Sequence, residues 1–104
     1  MIRRRIETAL EDAGPDGDET RTALLRLMLT ALRDREAAIA ADEGAGELTE
    51  EDAMALLERM IRQRSDSVAT YERAGKMELA EQERREIAII REFLPRPLSE
   101  EEAR

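Results

Sequence analysis

The sequence predicts an all-α domain, an antiparallel bundle of four helices near 2–13, 19–42, 50–74 and 77–94. Three observations predict it. The apolar residues are twelve Leu, seven Ile, five Met and sixteen Ala against one Val, one Tyr and one Phe, a mix that suits helices better than pleated sheets. They recur at steps of three and four. Turn-forming residues punctuate the pattern at Gly14-Pro15-Asp16-Gly17-Asp18, Gly44-Ala45-Gly46, Gly75 and Pro95.

Ile2, Ile6, Ala9, Leu10 and Ala13 make one stripe of a short first helix. Arg3, Arg4 and Arg5 read as a solvated first turn, with a phosphate or an acidic protein as the alternative contact. Asp18 can cap the second helix. That helix carries Leu24, Leu25, Leu27, Met28, Leu29, Ala31, Leu32, Ala38 and Ile39, apolar on so many sides that it reads as central. Its exit, from Asp42 to Glu47, is acidic but lacks the alternating ligands of a calcium loop.

Thr49 begins the third helix, since its hydroxyl can accept an orphan backbone N–H while Glu50, Glu51 and Asp52 sit at the positive dipole end. Ala53, Leu57, Met60, Arg64, Ser67 and Tyr71 then share one stripe. Gly75 can take the left-handed conformation that ends a helix. The fourth helix places Leu79, Ala80, Ile87, Ile90 and Leu94 on its apolar face, widened by Ile89 and Phe93, until Pro95 removes an N–H. Charged residues are 40% of the chain, so most of each helix surface is charged, with Glu58–Arg62 and Glu81–Arg85 as expected pairs.

These totals also exclude functions. A net charge of −8 argues against a protein that grips nucleic acid through its overall field, although local basic faces are compatible with it, and no DNA partner is expected. The chain has no Cys and no His, which removes disulfides, thiolate metal sites and the commonest general base. No cofactor and no metal are expected. No apolar run approaches the roughly 20 residues that span a bilayer, and the basic start leads into an amphipathic helix, so the expected location is cytoplasmic, away from membranes.

Arg64 is the residue out of place, because a guanidinium on an inward stripe is costly without a partner. Glu83 or Glu86 of the last helix are the favoured partners and Glu36 the reserve, giving a structural ion pair and polar core of Arg64, Ser67, Tyr71, Glu83 and Glu86. A binding or catalytic arginine is the alternative. Tyr71 reads as apolar area with a tied hydroxyl rather than a base-stacking platform. Arg59, Arg62, Gln63 and Arg73 fall on a more exposed side, interrupted by Glu58, Asp66 and Glu72; they are either a solvated face or a contact for RNA or another partner. No carboxylate pair, glycine loop or nucleophile turn supplies an active site.

From Met60 to Glu102 the chain resembles the GatB/YqeY family: Gln63-Arg64, Ser67 and Tyr71, then Ala74-Gly75, Leu79-Ala80, Glu83, Glu86, and Phe93-Leu94-Pro95 with Leu98-Ser99. Leu25-Arg26-Leu27 and Arg35-Glu36 are similar to its earlier helix. The resemblance implies a relation to the helical C-terminal part of the GatB subunit of tRNA-dependent amidotransferase. It further implies a tRNA-associated role beside tRNA or an aminoacyl-tRNA-handling protein. The family label of carbon–nitrogen ligase activity with glutamine as amido donor belongs to chemistry housed in other domains of that enzyme. The family continues into a second small helical unit. The expected organisation is thus a helical bundle over 1–98, with 99–104 the start of a truncated or absent second unit. A non-catalytic tRNA-associated domain is the leading expectation; a protein-interaction bundle, self-associating through surplus apolar surface on the second helix, competes with it.

Overall fold

A computed structural model describes residues 1–42, 44 and 46–95. The segment 99–104 and the family-like Leu98-Ser99 lie outside the described residues.

Four helices follow in order: α1 (Ile2–Ala13), α2 (Glu19–Ala41), α3 (Glu50–Arg73) and α4 (Met77–Arg91). The fold is all-α, with no strand among the described residues. The starts of α2 and α3 are fixed locally. The Asp18 carboxylate accepts from the N–H groups of Thr20 at 2.9 Å and Arg21 at 3.3 Å. Thr49 and Asp52 form a reciprocal capping box: the Thr49 hydroxyl accepts from Asp52 N–H and the Asp52 carboxylate accepts from Thr49 N–H, both at 3.0 Å. The α3–α4 turn is a Schellman motif at Gly75, whose φ is +73°. Lys76 N–H donates to Tyr71 C=O at 2.8 Å and Gly75 N–H to Glu72 C=O at 3.1 Å, which reverses the chain at once.

The helices pair as two antiparallel hairpins, α1 with α2 and α3 with α4. One core joins them. Ile2 and Ile6 of α1 and Leu24, Leu25, Met28, Leu29 and Leu32 of α2 pack against Ala53, Leu57 and Met60 of α3, Ile90 of α4 and Phe93 beyond it. Only the lower half of the second hairpin takes part. Above Met60 and below Ile90 in sequence, α3 and α4 form a two-helix arm with its own small interior, including Ala80 and Ile87. The radius of gyration, 15.7 Å, exceeds the ~13 Å of a compact chain of this length for that reason.

The arm corrects one expectation. Leu79 shares a flank of α4 with Ile90 and Phe93, yet it is 42% exposed, and Met77 beside it is 54% exposed. Helical period says which flank is apolar, but α1 and α2 do not reach far enough up the arm to cover it. Leu27, on the outward side of α2, is 50% exposed, so that helix is not enclosed all round.

The junction of body and arm also changes how α4 ends. The helix stops at Arg91, three residues short of the expected 94, and the chain tightens into bonds from Glu92, Phe93 and Leu94 N–H to the carbonyls of Ile89, Ile90 and Arg91. Arg5 holds that turn. Its guanidinium donates to Glu92 C=O at 2.6 Å and Phe93 C=O at 3.4 Å, and lies 5.7 Å over the Phe93 ring. Arg21 forks onto the Glu92 carboxylate at 2.8 and 3.1 Å. The basic first turn is therefore not simply solvated: Arg5 caps α4 and Arg3 pairs with Glu36, which leaves Arg4 outward.

Glu50 ties the start of α1 to the start of α3, accepting from Ile2 N–H at 2.8 Å. That bond, helped by the Met1 ammonium at 3.2 Å, holds the Glu50 carboxyl below the usual carboxylate range. A carboxylate with a depressed folded-state pKa adds stability above its unfolded value, and that stability is lost as the pH falls. Thermal melts between pH 7 and pH 3 should show a loss below about pH 4.5 that is smaller in Glu50→Gln. In denaturant titrations Leu57→Ala should cost about 2–5 kcal/mol. Ile87→Ala, outside the joined core, should cost less, and equal losses would mean that arm and body share one interior.

Candidate nucleic-acid interface

α3 has two working faces. Inward, toward α4, the apolar stripe of the body continues up the arm as Arg64, Ser67, Val68 and Tyr71. Arg64 Nε donates to Glu86 Oε1 at 3.0 Å, with the two side chains only 14% and 17% exposed, and Arg64 Nη1 donates to Met60 C=O at 3.2 Å. Glu86 is thus the partner, not Glu83 or Glu36. Glu83 is half-buried and makes no ion pair among the described residues, while Glu36 belongs to Arg3. The Ser67 hydroxyl donates to Gln63 C=O at 3.2 Å. Tyr71 is half-buried, but its hydroxyl has no hydrogen bond among the described residues and is not enclosed. Further up, Arg84 bridges Glu72 and Glu81. The pairs Glu58–Arg62 and Glu81–Arg85 do not form: Glu58 faces Arg91 and Leu94 across a hollow at the base of the arm, and Glu81 takes Arg84 instead.

Outward, Arg59, Arg62, Gln63 and Arg73 lie on one exposed face with Asp66 and Thr70 between them. At about 1.5 Å per residue, Arg59 to Arg73 spans about 21 Å of helix. Arg73 donates to the Thr70 hydroxyl at 3.4 Å. Neither Arg59 nor Arg62 forms an ion pair among the described residues. Beside them lies a cation that α3 periodicity could not reveal: Arg35 of α2 lines the same hollow as Arg59, together with Asp52, Ala55 and Leu56. Its signal in the sequence is its position one step beyond Leu32 at the edge of the α2 apolar stripe. Such a residue flanks whatever helix packs there.

With this geometry described, comparison with known proteins decides the family. The model for Yqey-like proteins matches residues 3–104. The chain belongs to the YqeY-like family. A comparison with curated proteins finds no match. Within this YqeY-like chain, Gln63-Arg64, Ser67, Tyr71, Ala74-Gly75, Leu79-Ala80, Glu83 and Glu86 all fall on the arm, and Phe93-Leu94-Pro95 forms its base. The family match spans all four helices.

No group of His, Cys, Asp or Glu suited to holding a metal occurs among the described residues, and no helix among them is long and apolar enough to cross a membrane. Because Arg64 and Glu86 are mostly buried, removing one partner strands the other. Arg64→Leu should cost about 1–3 kcal/mol in a denaturant titration. Adding Glu86→Leu should restore part of that loss, and simple additivity of the two single changes would show that the pair is not coupled.

Proposed function

We propose that this YqeY-like protein is a non-catalytic, tRNA-associated helical domain that meets the phosphate backbone with the outward face of α3. The observation that carries the reading is how the arginines divide. Arg3, Arg5, Arg21, Arg64 and Arg84 are committed to carboxylates or carbonyls within the chain. Arg59 and Arg62, adjacent turns of one exposed face, carry no such commitment among the described residues. A guanidinium left outward and unpaired is suited to bidentate phosphate contact. The resemblance to the helical part of GatB supports tRNA as the source of that phosphate. The net charge of −8 means that a local patch, rather than the overall field, has to supply the attraction.

With Arg59, Arg62 and the exposed Arg73 of the same face each meeting one phosphate, the salt slope is near −2.1 to −2.7, so tRNA affinity should fall about 20- to 40-fold between 50 and 200 mM salt. Arg59→Ala with Arg62→Ala should flatten that dependence by about two contacts. Binding that ignores salt, or that survives the double change intact, would count against this reading.

The second reading, a self-associating interaction bundle, draws on Leu27, which is half exposed at the centre of the outward side of α2. Sedimentation velocity over a hundredfold range of concentration distinguishes it: a size that rises with concentration and reverts in Leu27→Lys supports self-association.

A further inference from the structure

We infer that Arg35 and Arg59 form a two-helix cradle for a single backbone phosphate of RNA, which makes the contact surface a groove between α2 and α3 rather than one face of α3. The inference rests on the RNA reading above and names the residues that would seat the backbone.

The two arginines come from different helices and line one hollow of about 190 Å³, floored by Ala55 and Leu56. Ala55 and Leu56 are apolar, so the polar groups of the hollow are Arg35, Arg59 and Asp52. Arg35 and Arg59 are both exposed, and neither forms an ion pair among the described residues. One acid shares the hollow. The Asp52 carboxylate is engaged by the Thr49 N–H at 3.0 Å and sits in the first turn of α3, where it serves the capping box. A single carboxylate against two guanidiniums leaves a net positive charge, and Arg62 adds a third cation one turn further along α3. A tetrahedral anion with several acceptor oxygens can accept from two planar forks at once, which a carboxylate already held by a backbone N–H does less well. Neutral ligands gain nothing from that arrangement. A phosphodiester entering the hollow would continue past Arg62 and Gln63, so the cradle sets the direction of the strand along α3.

The test follows the arginine Nε–Hε signals of the ¹⁵N-labelled chain during titration with inorganic triphosphate and, separately, with tRNA. Binding isotherms at several salt concentrations are measured alongside for Arg35→Ala, Arg59→Ala, the two together and, as a control on the arm, Arg85→Ala. The expected result is that Arg35 and Arg59 signals move together with both probes. Arg35→Ala and Arg59→Ala should each weaken tRNA binding several-fold, and the two together should lower the salt slope by the roughly 0.7–0.9 of the one shared phosphate, while Arg85→Ala changes neither. If triphosphate moves both signals but tRNA does not bind, the cradle stands and the RNA reading fails. If tRNA binds with Arg35→Ala unchanged in affinity and slope, the cradle is overturned while the RNA reading survives. Failure of both probes to move the Arg35 signal also overturns it.

Discussion

The structure depends on an offset: the α3–α4 hairpin packs on the α1–α2 pair through one end only, at Ala53 to Met60 and Ile90 to Phe93. Below Met60 and after Ile90 the hairpin shares a core with Ile6, Leu25, Met28 and Leu32, and burial of that kind contributes roughly 1.5–3 kcal/mol per large side chain. Above that level each helix of the arm has only its partner. The interior there changes character, from leucine and isoleucine to Ala80, Ile87, Val68 and the Arg64–Glu86 pair. Ion pairs offset the missing area only in part, since exposed ones such as Glu72–Arg84 contribute less than about 1 kcal/mol.

The paired arginines gather where this offset leaves the hairpin least covered. At the joint between body and arm, Arg5 and Arg21 hold the end of α4 from two helices, one through carbonyls and one through the Glu92 carboxylate. On the inward side of the arm, Arg64 pairs with Glu86. Among the arginines without an ion pair in the described residues, Arg59 and Arg62 stand on the outward side of α3 and Arg35 on α2 beside it, while Arg4, Arg26, Arg33, Arg85 and Arg91 lie elsewhere on the surface. Helical phase thus separates the paired, inward arginine of α3, Arg64, from the exposed ones, Arg59 and Arg62.

Much of this was legible in the chain. Thr49, Asp18 and Gly75 act within a few residues of themselves, so local chemistry identifies them as caps and turn. Arg64 on an inward stripe demanded an acidic partner, and the stripe of the last helix limited the choice. The Arg5 and Arg21 contacts with Glu92 and Phe93 were not legible, because no local pattern links positions so far apart in sequence. The exposure of Leu79 escaped for a related reason: periodicity defines a flank but not the length of the neighbour that would cover it. Arg35 was hidden because it belongs to the candidate surface only once α2 and α3 are side by side.

The closure at residues 92 and 93 bears on synthesis of the chain. Both hairpins form from near neighbours in sequence, and such low-contact-order pairs fold fast. The body, however, lacks Ile90 and Phe93, and Arg5 and Arg21 lack their acceptors, until nearly the last described residues have been made. On a translating ribosome, which adds residues at about 5–20 per second, α1 and α2 therefore wait as an incomplete pair with an open apolar face. Burial of Ile90 and Phe93 in the shared core closes that face, and Arg5 and Arg21 hold the turn that places them.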